Sequence, residues 1–400
     1  MKYVVILGDG MADYPIEKLN NKTPLDVANK PFIDSLCAKG EIGLVKTVPD
    51  GMKPGSDVAN LSVLGYNPKK VYSGRSPLEA ASIGINLKDT DISARANLVT
   101  LSDEENFIDK RMVDYSAGEI STEEAREIIS YLASHLNNEK YSLYAGISYR
   151  HCLVTDKGSL AGDLTPPHDI TGKPIKEYLP KSEVGKEYLE LMKKSYELLK
   201  NHPINLKRIK DGKNPATCIW CWGEGTKPNL QSFEEKYNLK GGIISAVDLL
   251  KGIAKLSKMR SIEVDGATGT YETNFFGKAK ACIDALKDGL DYVYIHMEAP
   301  DECGHHGDLD NKIYSIEQID KVVEYIVNEL DKMGEEYKIL ICPDHPTPIK
   351  LMTHVSDPIP FVIYDSRVEK KGADKYNEQN ALSSGLSLDS GEQLVNRFLG

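Results

Sequence analysis

Three short apolar runs in this chain are each followed closely by an aspartate. Gly8-Asp9-Gly10 comes after Tyr3–Leu7, Glu298-Ala299-Pro300-Asp301-Glu302-Cys303-Gly304-His305 after Tyr292–Met297, and Pro343-Asp344-His345-Pro346-Thr347 after Lys338–Cys342. His354 shortly precedes a fourth run, Phe361–Tyr364, and five of the nine histidines fall between 296 and 354. Taken singly, a strand-end aspartate reads as a helix cap or a solubilising loop residue, and a lone histidine as a hydrogen-bonded one. Taken together, Asp9, Asp301, His305, Asp344, His345 and His354 are the donor types that hard-to-borderline divalent ions take. Asp301 and His305 are four apart and share a face if that segment opens a helix. Asp344 and His345 would point opposite ways in a strand; on a turn they could address one metal or two.

A group-transfer site also needs a nucleophile. Pro54-Gly55 sets a turn, Ser56 follows, and Val58, Leu61, Val63 and Leu64 continue as a helical pattern. Ser56 thus stands at or near a helix N-terminus, where free amides and the helix dipole favour anions. By itself this reads as a capping serine. As a nucleophile it would need a base or a metal, because a serine hydroxyl attacks poorly at neutral pH.

The four apolar runs are the elements that must position these residues. They show little polar alternation, as strands covered on both faces do. Between them lie helical patterns, Ser315–Leu330 with an apolar stripe at i, i+3, i+4 and i+7, and Thr122–Leu136 with Ser121 or Thr122 as its cap. Strands alternating with helices indicate an α/β fold with a mainly parallel sheet, whose ligands sit beyond the carboxyl ends of the strands. From about 80 to 235 the long apolar runs thin out and turns such as Thr165-Pro166-Pro167-His168-Asp169 appear. The expected division is therefore a discontinuous catalytic domain, 1–78 and 236–400, carrying a smaller inserted α+β domain, 79–235.

The formal charge, 49 − 60 = −11, argues against nucleic acid or an anionic membrane as partner. A phosphate enzyme built on this acidic chain must create its own local positive field. The seven cysteines are odd in number and irregular in spacing, which speaks against a disulfide framework. Cys218 and Cys221, within an apolar run, read as buried thiols rather than zinc ligands. The apolar N-terminal run is too short for a signal peptide or a membrane span, so a cytoplasmic protein is expected.

The Gly8-Asp9-Gly10 start, the Pro54-Gly55-Ser56-Asp57 turn, Asp301-Glu302-Cys303-Gly304-His305, Asp344-His345-Pro346-Thr347 and His354 resemble cofactor-independent phosphoglycerate mutase of the alkaline-phosphatase superfamily. The likeness is to the shorter, archaeal-type branch, which Tyr72-Ser73-Gly74-Arg75-Ser76-Pro77-Leu78-Glu79-Ala80-Ala81 and Asp265-Gly266-Ala267-Thr268-Gly269 also fit. The resemblance implies an alkaline-phosphatase-like sheet sandwiched by helices. It implies one metal held by Asp301, His305 and His354, and another by Asp9, Ser56, Asp344 and His345. The metals would be two divalent ions (Mn, Mg, Co or Zn), with no organic cofactor. Ser56 would take the phosphoryl group of 3-phosphoglycerate and return it to the other hydroxyl, giving 2-phosphoglycerate, while the insert excludes water. Arg75, Arg95, Arg150, His151 and His168 are the candidates to bind the substrate's anions, with Tyr149-Arg150-His151 foremost. A homo-oligomer is compatible with this reading.

Other acceptors remain in view. Members of the same branch include candidates for homoserine kinase activity, and this chain has no GxxxxGK[ST] loop to serve such a reaction in the usual way. A sulfatase would want a proline at Val58 and an arginine at Asn60. A metal-binding scaffold would have no need of Ser56 beside so many other ligands.

Overall fold

The N-terminal apolar run forms a strand covered on both faces, and the larger of two sheets is built around it. The computed structural model describes residues 1–400. Along the chain the strands are β1 (Lys2–Gly8), β2 (Glu41–Val45), β3 (Ile92–Leu101), β4 (Met112–Asp114), β5 (Tyr141–Ile147), β6 (Arg150–Thr155), β7 (Cys218–Thr226), β8 (Gly241–Ile244), β9 (Arg260–Ile262), β10 (Tyr292–Met297), β11 (Tyr337–Cys342), β12 (Ile359–Asp365) and β13 (Ser387–Leu388). The chain divides into two compact units, Met1–Tyr72 with Asn229–Gly400, and Ser73–Pro228. Both boundaries fall earlier than 78 and 235. The reason is local: helix Arg75–Ser82 packs on β3, β6 and β7, while Phe233, just past the second boundary, stacks its ring 4.6 Å from that of Tyr292.

In the first unit the sheet order is β13-β2-β12-β11-β1-β10-β8-β9. β1 pairs in parallel with β10 and β11, at Tyr3↔Tyr292 and Tyr3↔Lys338. On one face Val4, Ile6, Val293 and Ile341 join Ile316, Ile319, Val323 and Ile326 of helix Leu309–Met333 in the main core. On the other, the Tyr3 and Tyr292 rings meet Phe398 of helix Gly391–Leu399 edge-on. This double cover explains the unbroken apolar composition of the strands.

β12 runs antiparallel to both β11 and β2. An antiparallel strand begins at the edge where its parallel neighbours end. The loop leading into β12, with His354 on it, therefore arrives beside Asp9, Asp301 and Asp344, which leave the carboxyl ends of β1, β10 and β11.

The second unit is an antiparallel sheet with helices. β3 is its centre, paired with β4, β6 and β7, and all ten of its residues are buried. Helices Thr122–Leu136 and Glu183–Leu199 cover it; the first is capped by Ser121, whose side chain accepts from the Glu124 amide. Cys218 and Cys221 lie buried in β7, and burial pushes the Cys218 thiol up to about 12. Both side chains pack in the apolar core of this unit.

Candidate active site

Asp9 extends β1 past its last residue, its amide still bonded to the Met297 carbonyl at 2.9 Å. Gly10 then turns back with φ +62°, and a Cβ there would stand 2.6 Å from both Asp301 Oδ1 and Thr347 Oγ1. Only glycine permits this turn and this close approach. The result is that three loops from three adjacent strands meet at one point.

Asp344 is the best-held carboxylate. Its Oδ1 accepts from the His345 amide at 2.8 Å and the Gly10 amide at 3.3 Å, and its Oδ2 from Asn60 Nδ2 at 2.9 Å. Asn60 also donates to the Ser56 carbonyl at 2.9 Å, and its Oδ1 accepts from Tyr294 OH at 2.5 Å. Asn60 lies on helix Ser56–Val63, so this buried amide ties the helix that carries Ser56 to the loop that carries Asp344. Ser56 is the first residue of that helix. Its Oγ lies 3.2 Å from His345 Nε2 and 3.4 Å from Asp9 Oδ2.

Two sets of donors meet here, joined by the His345 and His354 rings at 4.0 Å, and Ser56 touches the first. Asp9, Asp344 and His345 bring ligand atoms within 4.8 Å of one another, and so do Asp301, His305 and His354. In the second set, Asp301 and His305 lie on the short helix Ala299–His305, with His305 Nε2 3.3 Å from Asp301 Oδ2. His354 Nε2 is 3.4 Å from Asp301 Oδ1 and 2.8 Å from His305 Nε2. His305 Nδ1 donates to the Met352 carbonyl at 3.1 Å, which turns the Nε2 lone pair inward. Two inward lone pairs at that distance repel unless a proton or a cation lies between them. In the first set, Asp9 Oδ1 is buried without a hydrogen-bond partner. An orphaned carboxylate oxygen beside a histidine nitrogen, and converging imidazoles beside a carboxylate, both fit a divalent ion.

The electrostatics point the same way. Burial first, and then the Asp344 and Asp301 carboxylates, push Asp9 well above the usual carboxylate range. Burial would also raise Asp301, but hydrogen bonds from His305 and His354 outweigh it and hold Asp301 well below that range. The hydrogen bond to Asp301 lifts His305 to about 9. Carboxylates crowded at this density draw positive charge, from protons on imidazole or from a divalent ion.

In the second unit, Arg75 and Arg95 converge on Glu79. Arg75 Nε bonds Glu79 Oε1 at 3.0 Å; Arg95 Nε lies 2.8 Å from Oε2, with its N–H not aimed at the oxygen. Burial would raise Glu79, but the charges of Arg95, Arg75 and Arg150 overcome it and lower its pKa. The Arg95 guanidinium stacks 4.3 Å from the Trp222 ring, against whose edge His168 rests at 5.1 Å. Arg150 lies over Tyr149 at 5.2 Å, and its Nε is buried without an acceptor. His151 does not join this group. It pairs with Ala96 while Arg150 pairs with Asn97, and neighbours in a strand face opposite sides. Burial, and then the Arg150 charge, depress His151 to about 3.

Residues 37–205 match the family model described as 2,3-bisphosphoglycerate-independent phosphoglycerate mutase. A protein of that name from Methanosarcina barkeri is 49% identical over 99% of this chain and 98% of its own length. The chain belongs to the 2,3-bisphosphoglycerate-independent phosphoglycerate mutase family. A Geobacter sulfurreducens protein named as a probable enzyme of this kind is 46% identical over 100% of both chains. Among solved structures, a cofactor-independent phosphoglycerate mutase from Thermoplasma acidophilum superposes with a TM-score of 0.63 at 25% identity, covering 100% of both chains. A Pyrococcus horikoshii protein reaches a TM-score of 0.83 at 31% identity, over 100% of this chain and 96% of its own. The mutase relatives do not carry the kinase-like name weighed from the sequence.

Further residues support the site through contacts that local sequence does not show. His296 Nε2 lies 2.8 Å from Asp9 Oδ2. Thr347 donates its hydroxyl to Asp301 Oδ1, and its carbonyl accepts from the fully buried Lys312 at 2.8 Å. Lys312 also pairs with Asp13 at 2.8 Å. A histidine in a wholly buried strand and a lysine on the apolar stripe of a long helix were the available signals.

Proposed function

We propose that this chain interconverts 3-phosphoglycerate and 2-phosphoglycerate through a phosphoserine at Ser56. The observation that carries the reading is a serine hydroxyl at a helix start, in contact with Asp9 and His345 of one of two donor groups that each fit a divalent ion. The full-length mutase relatives support it. Asp301, His305 and His354 would hold one ion, and Asp9, Asp344, His345 and Ser56 the other; Mn, Mg, Co and Zn all suit these donors. Bound there, two divalent ions would supply charge neutralisation on the transferring group and a lowered pKa for the serine hydroxyl.

The chain's own residues do the rest. Ser56 Oγ forms a bond to phosphorus as the bond to glycerate O3 breaks, and the hydroxyl proton ends on that oxygen. The reverse step delivers the phosphoryl group to O2 of the same glycerate, so no water enters the balance. A phosphoryl group on Ser56 would lie at the start of helix Ser56–Val63, where the helix dipole favours an anion. The insert, 73–228, is the substrate clamp: Arg150, Arg95 and Arg75 bind the glycerate's anionic groups, and the unspent N–H groups of Arg150 and Arg95 fit that role. An anchored glycerate stays beside the phosphoserine while it reorients, which separates mutase from phosphatase action.

The test is a coupled assay of 3-phosphoglycerate conversion, with the protein quenched in acid during turnover and analysed by peptide mass spectrometry. A phosphorylated peptide containing Ser56 is expected. Turnover without that peptide, or with phosphate on another residue, would refute the assignment.

A further inference from the structure

His296 is buried at the end of β10, where neither of its ring nitrogens can reach solvent. Its contacts form a relay whose direction is forced by which atoms carry hydrogen. His296 Nε2 lies 2.8 Å from Asp9 Oδ2, and a carboxylate oxygen only accepts, so the imidazole proton sits on Nε2. Nδ1 of the neutral ring then accepts from the Ser245 hydroxyl, 3.2 Å away. Ser245 Oγ in turn accepts from the Val247 amide at 3.0 Å, which holds that hydroxyl in place. The Lys278 ammonium, bonded to the His296 carbonyl at 3.2 Å, anchors the strand at this point. The two oxygens of Asp9 are thereby made unequal. Oδ2 receives the imidazole N–H, while Oδ1 is buried with no donor at all.

We propose that His296 is a positioning residue for the metal at Asp9: the relay Val247–Ser245–His296 pins Asp9 Oδ2 and so commits Oδ1 to the ion. The inference rests on the reading of Asp9 as a metal ligand. Without the imidazole donor, the carboxylate of Asp9 is free to rotate about its terminal torsion. Its two oxygens then compete for the ion, for the Ser56 hydroxyl and for whatever donor remains.

The experiment is Mn²⁺ titration calorimetry on the wild-type chain and on His296→Leu, His296→Gln and Ser245→Ala. It is repeated in a His305→Ala background, which leaves the Asp9 set as the intact site. Partners that orient metal ligands typically contribute about 10–100-fold in affinity. His296→Leu is expected to lose affinity in that range at the Asp9 set, and to leave the Asp301 set unchanged in the chain with His305. Glutamine carries an N–H at nearly the reach of Nε2, so His296→Gln should recover most of the loss. Ser245→Ala should show a smaller loss at the same site. His296→Leu binding within about threefold of wild type would overturn the proposal. So would a His296→Gln variant no better than His296→Leu, because the residue would then act by packing alone. A wild-type chain that binds no Mn²⁺ at the Asp9 set would overturn the metal reading itself, and this inference with it.

Discussion

Replacing Asn60 by leucine keeps the side chain's volume and removes every polar contact it makes. Three partners lose a bond: Asp344 Oδ2, the Ser56 carbonyl and the Tyr294 hydroxyl. Asp344 and Tyr294 lie in the interior and Ser56 is half-buried, and a buried polar group left unpaired costs about 1–3 kcal/mol. Asp344 retains two amide donors on its other oxygen, so its share falls at the low end. The summed loss is on the order of 3–6 kcal/mol, a large part of the stability of about 5–15 kcal/mol typical of a domain. Urea unfolding followed by tryptophan fluorescence would report mainly on the insert, where both tryptophans lie, so the assay is far-UV circular dichroism with a fit to two transitions. The transition belonging to the first unit should move and the other stay. Catalysis should fall further than stability explains, because the helix bearing Ser56 loses its tie to Asp344. A displacement of about 1 Å at the nucleophile can cost about 10²-fold in rate. A loss below about 1 kcal/mol with turnover within twofold of wild type would mean that Asn60 holds nothing in place.

Ser56→Ala should abolish transfer with unfolding unchanged; activity above about a tenth of wild type would refute a covalent route, given enzyme accelerations of about 10⁶ and more. Metal binding should fail early on acidification. A carboxylate whose folded-state pKa is raised holds its proton to higher pH, so the affinity of the Asp9 set for Mn²⁺ should begin to weaken well above the usual carboxylate value of about 3.9, and an affinity that stays level down to that value would contradict the burial argument. With His305 lifted to about 9, metal binding near pH 8 should expel a proton, seen as a calorimetric heat that varies with the buffer's ionisation enthalpy; a buffer-independent heat would exclude it. Arg150→Ala should leave metal binding and aryl-phosphate hydrolysis intact while mutase turnover drops by on the order of 2–3 kcal/mol of transition-state binding. An unchanged ratio of mutase to phosphatase activity would remove Arg150 from the clamp.

The parts of this fold legible in the sequence are those where packing and composition agree. β1, β10, β11 and β12 are buried on both faces and read as apolar runs, and helix Thr122–Leu136 matches its stripe and its serine cap. β3 was invisible for the opposite reason. Ser93, Arg95, Asn97 and Thr100 are buried in it, each a polar residue breaking the run, with Arg95 against Glu79 and Asn97 accepting from Trp222 Nε1 at 3.0 Å. The direction of β12 was equally hidden, since composition does not distinguish parallel from antiparallel pairing. The residues around the donor sets were legible where they follow strands, as Asp9 and Asp344 do. Asn60, His296, Thr347 and Lys312 sit inside elements or beside ligands. Their importance arises from contacts across 35 to 300 positions, which local spacing cannot encode.

The central place of β1 has a consequence for synthesis. Its neighbours β10 and β11 begin at Tyr292 and Tyr337, far toward the other end of the chain. At about 5–20 residues per second, the N-terminal strand waits on the order of 15–60 s for either partner to leave the ribosome. Throughout that interval both of its edges, and an apolar side chain at nearly every position, stand unpaired. The segment Ser73–Pro228 is contiguous and emerges entire during the wait. The nascent chain therefore passes through a stage in which one unit can already be folded while β1 is still a ready template for aggregation, and chaperone dependence in this protein should concentrate on that strand.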